Sequence, residues 1–261
     1  MARRIDTAGP PQPGAASPAE DRRPREFGWR RLQVVAALGA IASFLVPMVI
    51  MLSFEPFLLA MLAPFVVGLL VMIRWPRVAS IWLGIASLGV LLTSAPFLVE
   101  ALAHPESLVD FLPLVAFTLS TLVGTVAAIP SFRLGAGPDA ASRVARGIAL
   151  AAGVSLVAAS LLSVVAFAGV DNVPARAGDV LVVTEDIEFA PGSINVEGGS
   201  ISVHVTNRDD TRHTFTIDEL GVDLSVPPSS TQRVSFEAGP GTYRFYCRPH
   251  PPDMEGVLMV G

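Results

Sequence analysis

Charged residues are scarce in this chain, and cysteine is scarcer still. Of its 261 residues only 16% are charged and 51% are hydrophobic, and the mean hydropathy is +0.56. This balance is too apolar for an ordinary soluble domain and indicates a membrane protein. Cys247 is the only cysteine, which excludes an intrachain disulfide framework. Lysine is absent and the 18 arginines form no basic patch, so no nucleic-acid partner is expected.

Histidine is also missing from most of the chain. His104 is the only one before residue 204 and lies between two apolar runs, so a haem held by two imidazoles is not expected there. The interiors of the apolar runs contain no ionisable residue, although such residues are the usual mark of an ion path or a proton relay. We therefore expect these runs to be a structural anchor. The alternatives are a docking surface for a membrane partner and a small-molecule path built from uncharged polar groups.

Five charge-free runs are present, each of about 18 to 24 residues, which is enough for a helix to cross a hydrocarbon core of about 30 Å. They predict five transmembrane helices over approximately residues 32–54, 56–73, 78–99, 111–132 and 147–170. Small residues such as Gly84, Gly124 and Gly153 predict close packing between them. The alternative is a buried soluble core of five apolar helices. Residues 1–28, rich in Pro, Ala, Gly and Arg, are expected to be a disordered cytoplasmic tail.

Arginine occurs only in alternate loops, which predicts the orientation in the membrane. The N-terminal segment and the loops around Arg74–Arg77 and Arg133–Arg146 are basic, whereas the intervening loops carry only acidic charge. By the positive-inside rule the N-terminus lies in the cytoplasm, and five spans then place the C-terminal part outside the cytoplasmic membrane. A loose cluster near the second acidic loop is interpreted as a solvated rim, with attraction of cations as the alternative. Its members are Glu100, His104, Glu106 and Asp110.

After a short polar linker at residues 171–178, the apolar period changes from that of a helix to strict alternation. Frequent turn signals separate the alternating runs, which predicts an all-β Greek-key sandwich over residues 179–261. The fold class expected for the whole chain is thus a five-helix transmembrane bundle followed by this sandwich. The predicted strands are Asp179–Thr184, Ile187–Phe189, Ser193–Val196, Ser200–Thr206, Thr214–Ile217, Gln232–Phe236, Gly241–Cys247 and Gly256–Val260.

Metal-binding side chains are concentrated after the alternating run that ends at Cys247. That thiol, the His250 imidazole and the Met254 thioether fall within eight positions. A mononuclear blue copper site needs a Cys thiolate and two His in a trigonal set, with a weak axial Met. His213, at the start of a predicted strand, can supply the second imidazole. The alternative is a free buried cysteine beside a Pro-rich turn, with His213 on the surface.

Two further candidates are not expected to bind metal. His204 lies inside a predicted strand and is interpreted as an outward-facing residue. Met259 lies in the final predicted strand and is interpreted as a core residue rather than a ligand. The predicted metal site therefore consists of His213, Cys247, His250 and Met254.

Residues from about 180 to 261 resemble the cupredoxin family, the plastocyanin, amicyanin and pseudoazurin group of blue copper domains. The resemblance is carried by Glu188-Phe-Ala-Pro191 with the later Gly198-Gly199, by Val205-Thr-Asn207 through His213-Thr-Phe215, and by Gly241 through Cys247-x-x-His250-x-x-x-Met254. It implies one mononuclear type 1 copper held by His213, Cys247, His250 and Met254. No family is recognised for residues 1–177.

The function expected from the sequence is that of a membrane-anchored blue copper protein that transfers one electron on the outer face of the cytoplasmic membrane. The alternative is copper delivery or storage, with the ion handed to a membrane oxidase or another partner. A stand-alone enzyme is not expected, because a copper enzyme needs an open coordination position or a second metal centre, and four histidines leave too few ligands. The expected partners are the lipid bilayer and a redox protein such as a membrane oxidase or a respiratory complex.

Overall fold

The computed structural model of the chain describes residues 28–51, 56–134, 140–250, 252 and 254–261. Of the disordered tail predicted over residues 1–28, all but Gly28 lies outside the described residues. The described part consists of a helical bundle followed by a sandwich of two β-sheets.

Within the described residues the N-terminal part forms five long helices, and each is long and apolar enough to cross a membrane. They are α1 (Trp29–Met51), α2 (Pro56–Arg74), α3 (Pro76–Ala103), α4 (Leu108–Leu134) and α5 (Ala140–Ala168). The predicted bundle is therefore confirmed. Helix α3 is longer than its predicted span because Arg77 and Glu100, the charges taken as its limits, continue the helix instead of ending it.

Glycines allow neighbouring helices to approach closely, because side chains of the adjacent helix occupy the space that a Cβ atom would need. A Cβ atom on Gly84 would lie 2.4 Å from the Cβ of Ala128, and one on Gly124 would lie 2.6 Å from the Oγ of Ser87. Close packing is thus confirmed at these two glycines. At Gly153 the prediction is wrong, because a Cβ there would meet nothing within 4 Å. Helix α5, which carries Gly153, is the least buried of the five.

The C-terminal part is a sandwich, as the alternation predicts. Its described strands are β1 (Val180–Glu185), β2 (Glu188–Ala190), β3 (Ser193–Val196), β4 (Gly199–Asn207), β5 (His213–Ile217), β6 (Val222–Val226), β7 (Thr231–Ala238), β8 (Gly241–Tyr246) and β9 (Glu255–Val260). One sheet has the order β2-β1-β4-β7 and the other β3-β9-β8-β5-β6. The sequence prediction missed β6, a short strand between Gly221 and Pro227 that pairs antiparallel with β5 at the edge of the second sheet.

Aromatic rings from three strands fill the space between the sheets. Phe189, Phe215 and Phe245 contact one another, with ring centroids 5.0 to 6.1 Å apart. Phe245 of β8 and Cys247, which follows that strand, belong to this core, and Tyr243 packs against it. Packing in this core fixes the position of Cys247 at the end of β8.

Met259 is not a core residue, and the prediction that it is one is wrong. It is 39% exposed, whereas Leu258 and Val260 are buried. The inward set of β9 begins at Gly256, where a Cβ would lie 2.2 Å from the ring of Phe245. Because only glycine leaves room for that ring, the register of β9 turns Met259 outward.

Residues 171–173 of the predicted linker lie on the sandwich, hydrogen-bonded to strand β7. Val173 N donates to Thr231 O (2.9 Å), and Gln232 Nε2 donates to Asp171 O (2.9 Å). His204 Nε2 contacts Val173 O at 2.8 Å, and this histidine is only 6% exposed. The prediction that His204 faces outward is therefore wrong, because the linker covers this side chain and buries it.

Candidate metal centre

The residues predicted to bind metal come from neighbouring strands of the five-stranded sheet. His213 is the first residue of β5, and Cys247 directly follows β8, which pairs with β5 through Thr216 and Tyr246. This pairing brings together residues that are 34 positions apart. Among the described residues one group of His, Cys, Asp and Glu side chains has the spacing of a metal site. It consists of His213, Cys247 and His250, whose ligand atoms all lie within 4.8 Å of one another.

The distances in this group fit a first-row metal ion. Cys247 Sγ lies 3.6 Å from His213 Nδ1 and 3.5 Å from His250 Nδ1. An ion with bonds of about 2.3 Å to sulfur and about 2.0 Å to nitrogen, at about 120°, would separate these atoms by about 3.7 Å. One thiolate and two imidazoles in a trigonal arrangement are the donor set of a blue copper site. The residues present therefore fit copper.

Met254 lies beside this group in the core. Its side chain is 1% exposed, and it belongs to the same buried cluster as Cys247. Cys247 N donates to Met254 O (3.0 Å), Met254 N donates to His250 O (3.1 Å), and His250 N donates to Cys247 O (3.3 Å). These three bonds close the loop between β8 and β9 on itself and bring Met254 next to Cys247.

The Cys247 thiol is fully buried, with defined polar neighbours. Thr214 N donates to Cys247 Sγ at 3.4 Å, and Arg248 N donates to Thr214 Oγ1 at 2.9 Å. Burial raises the pKa of the Cys247 thiol, and hydrogen bonds from the backbone of Thr214 and His250 oppose that rise. Metal binding to this residue therefore has to release a proton.

Both imidazoles are neutral at physiological pH. Burial lowers the pKa of His213, and the hydrogen bond to Asp209 opposes this effect in part. Burial also lowers the pKa of His250, and the positive charge that His213 would carry lowers it further. A neutral imidazole keeps a lone pair for a metal ion, so the electrostatics of the pocket favour ligation.

Asp209 contacts the predicted ligand His213, and the sequence prediction missed it. Its Oδ2 lies 2.7 Å from His213 Nε2, and its carboxylate accepts the backbone N–H groups of Asp186 (2.9 Å) and Ile187 (3.2 Å). Burial raises the pKa of Asp209, but the hydrogen bonds from His213, Ile187 and Asp186 outweigh it, so the pKa is lowered. The carboxylate thus accepts a hydrogen bond from the Nε2–H of His213 and leaves Nδ1 free toward Cys247. The spacing Asp209-x-x-x-His213 was the available signal.

Comparison with known proteins places the resemblance in the C-terminal part. A family model described as a cupredoxin-like domain matches residues 155–260. The chain is 32% identical over 175 residues to the chloroplastic plastocyanin of Pisum sativum, and the alignment covers 55% of this chain and 97% of that protein.

Solved structures similar to the chain include amicyanin and a bacterial metal-binding domain. Amicyanin from Paracoccus versutus is 19% identical with a TM-score of 0.29, and the match covers 33% of this chain and 85% of amicyanin. The metal-binding domain of a Cu(I)-exporting P-type ATPase of Streptococcus pneumoniae is 12% identical with a TM-score of 0.29, and the match covers 34% of this chain and 93% of that domain.

Proposed function

Because the chain belongs to the cupredoxin-like family, whose members bind copper and transfer electrons, we propose that it is a membrane-anchored type 1 copper protein. It transfers one electron at a time on the outer face of the cytoplasmic membrane. The observation that carries this proposal is the buried group of Cys247, His213 and His250, with sulfur-to-nitrogen distances of 3.5 and 3.6 Å.

Four residues hold the metal in this proposal. Cys247 is the thiolate ligand, His213 and His250 bind through Nδ1, and Met254 is the weak axial ligand. The bound copper supplies a one-electron redox couple at this position. The protein holds the ligands in place: Asp209 fixes His213, and the closed loop from Cys247 to Met254 fixes the other three. Ligands held this way rearrange little when the charge at the site changes, which is what fast electron transfer requires.

Five helices of sufficient length and hydropathy support the anchoring in a membrane. The distribution of arginine supports a cytoplasmic N-terminus and a sandwich on the opposite side. The partner proposed is a redox protein of the same membrane, such as an oxidase or another respiratory complex. In this proposal the chain is an electron carrier and catalyses no reaction of its own.

The test is copper titration of the full-length protein purified in detergent. We expect one copper per chain and an intense visible band from thiolate-to-copper charge transfer. The Cys247→Ser variant should lose the band, and the matched control His104→Gln, which changes a histidine outside the site, should keep it. Absence of the band, or its survival in Cys247→Ser, would contradict the proposal. Rapid Cu(I) transfer to an acceptor without redox turnover would instead indicate copper delivery.

A further inference from the structure

The end of the sandwich that carries the proposed ligands lies against the helical bundle. Thr211 Oγ1 donates to Asp110 Oδ2 at 2.7 Å, and the Arg212 guanidinium forms an ion pair with Glu100. Both contacts come from the two residues directly before His213. Two members of the cluster that was interpreted as a solvated rim, Glu100 and Asp110, are therefore part of an interface within the chain.

The surface that receives the sandwich is the end of the α3–α4 hairpin, residues 100–110, which we term the platform. Its turn is held by His104 Nδ1 on Glu106 Oε1 (3.0 Å) and by a hydrogen bond from Ser107 Oγ to Asp110. Ser163 of α5 donates its hydroxyl to Pro105 O (2.5 Å). Since α5 leads into the sandwich, the platform and the root of the sandwich are tied to one another.

The sandwich has a second attachment, at its root. Helix α5 ends at Ala168, and Asp171, three residues later, already accepts a hydrogen bond from Gln232 of β7. Asn172 Oδ1 accepts from Thr231 N (2.9 Å) on the same strand. Two points of attachment, the root and the platform, prevent the sandwich from swinging unless one of them breaks.

Release from the platform has an energetic cost. The Arg212 side chain is 7% exposed, so loss of Glu100 leaves a largely buried charge without its carboxylate. Thr211 and Arg212 directly precede His213 in the chain, and they contact Asp110 and Glu100. These contacts turn the ligand end of the sandwich toward the platform.

On these contacts we propose that the platform docks the ligand end of the sandwich against the membrane surface and excludes soluble redox proteins from it. The inference rests on the proposed electron-transfer function and narrows its partner. A partner whose redox centre lies in the plane of the membrane reaches the docked site from the side. A soluble globular carrier can react only after release of the sandwich. Its apparent rate of electron transfer is therefore the rate with undocked molecules multiplied by the fraction of molecules that are undocked.

The experiment compares two cationic oxidants of different size on the copper-loaded full-length protein in lipid nanodiscs. The small one is tris(phenanthroline)cobalt(III), and the large one is a soluble cytochrome c. The test variant combines Glu100→Gln with Asp110→Asn and weakens both platform contacts. The matched control combines Glu185→Gln with Glu255→Gln, which removes the same charge from two exposed ion pairs of the sandwich, with Arg208 and Arg244.

We expect the test variant to raise the rate with cytochrome c about tenfold, the effect of about 1.4 kcal/mol on the docking equilibrium. The rate with the cobalt complex should change less than about twofold. Loss of acidic charge alone would slow both cationic oxidants, so a rise confined to the large one identifies shielding. A cytochrome c rate that stays unchanged, or that follows the cobalt rate, overturns the proposal.

The visible band separates this outcome from failure of the proposed function, since its absence in the unmodified protein refutes copper binding itself. If the double variant loses the visible band, the single variant Thr211→Val is tested in its place. That variant removes one hydrogen bond to Asp110 and leaves the Arg212 pair, and we expect a rise of about twofold to fivefold with cytochrome c. No rise in Thr211→Val then contradicts the platform.

Discussion

The helical bundle and the sandwich satisfy their polar side chains in different ways. In the bundle, most hydroxyls bond within their own helix: Ser43 Oγ donates to Gly39 O (2.6 Å) and Thr125 Oγ1 to Thr121 O (2.8 Å), and Ser163, which bonds to Pro105, is an exception. In the sandwich one side chain joins distant segments, because Asn207 Nδ2 donates to the carbonyls of Thr211, Val226 and Pro227. The fold of the bundle therefore depends mainly on its composition, whereas the fold of the sandwich depends on particular residues at particular positions.

The largest effect is expected from filling a space in the sandwich. In Gly256→Val the new side chain meets the Phe245 ring and the carbonyl of Gly192, the latter 2.6 Å from the Cβ position. We expect the sandwich to lose about 3 kcal/mol of unfolding free energy. The counterpart in the bundle, Gly153→Ala, has open space and should gain about 0.5 kcal/mol. Calorimetric unfolding measures both, and an equal loss in the two variants would contradict the contrast.

A smaller effect is expected from removing a polar link. Asn207→Ala removes the hydrogen bonds that its Nδ2 donates to the carbonyls of Thr211, Val226 and Pro227 and should cost about 2 kcal/mol. In the bundle, Thr125→Val removes a hydroxyl whose acceptor is a carbonyl of its own helix, and should cost less than about 0.5 kcal/mol. Urea or guanidinium midpoints of the sandwich give the first value, and thermal unfolding of the bundle gives the second. Similar losses of unfolding free energy in the two variants would contradict the difference between the sandwich and the bundle.

The third prediction concerns the site itself. Asp209→Asn keeps the shape of the side chain but removes the anionic acceptor of His213 Nε2, so copper affinity should fall about tenfold, or about 1.4 kcal/mol. The loss of negative charge also favours the reduced metal and should raise the reduction potential. Competition titration and voltammetry measure the two quantities. The neighbouring Asp210→Asn is the control, and an identical change there would assign the effect to net charge alone.

The smallest effect is the pH dependence of the metal-free sandwich. Because the folded pKa values of His213 and His250 are lowered, the unfolded chain takes up protons first as the pH falls below about 6.5. The free energy of unfolding is therefore highest above that pH, and it decreases as the pH falls from about 6.5 toward the folded pKa values. His250→Gln should flatten this slope in thermal unfolding, whereas His104→Gln should leave it intact. The charge-free helix interiors should show no such slope.

Alternation in the sequence located most of the sandwich, because inward and outward residues differ clearly in strands such as β8. It failed where both faces carry apolar residues: in β9, Val257 and Met259 match Leu258 and Val260 in hydropathy, and only the Phe245 ring above Gly256 sets the register. The closeness of Cys247 and His250 could be predicted from their local spacing. The Asp209–His213 contact depends on the β1–β2 turn that supplies the other donors to Asp209, and the cover over His204 depends on tertiary packing. The four-residue spacing of Asp209 and His213 is the only local signal for that contact, and the cover over His204 leaves no local pattern.

Parallel pairing of β3 with β9 has a consequence for how the site is assembled. In this pair Ser193 lies opposite Val257 and Val196 lies opposite Val260. Strand β9 pairs with its chain neighbour β8 on one side, but on the other side it must meet a strand distant in sequence before the sheet is complete. Contacts of such long range form slowly, because the entropy of closing the chain is lost before they stabilise it. During that interval the Cys247 thiol is open to irreversible oxidation. Slow assembly of the strands thus lengthens the time during which this thiol is exposed to oxidation.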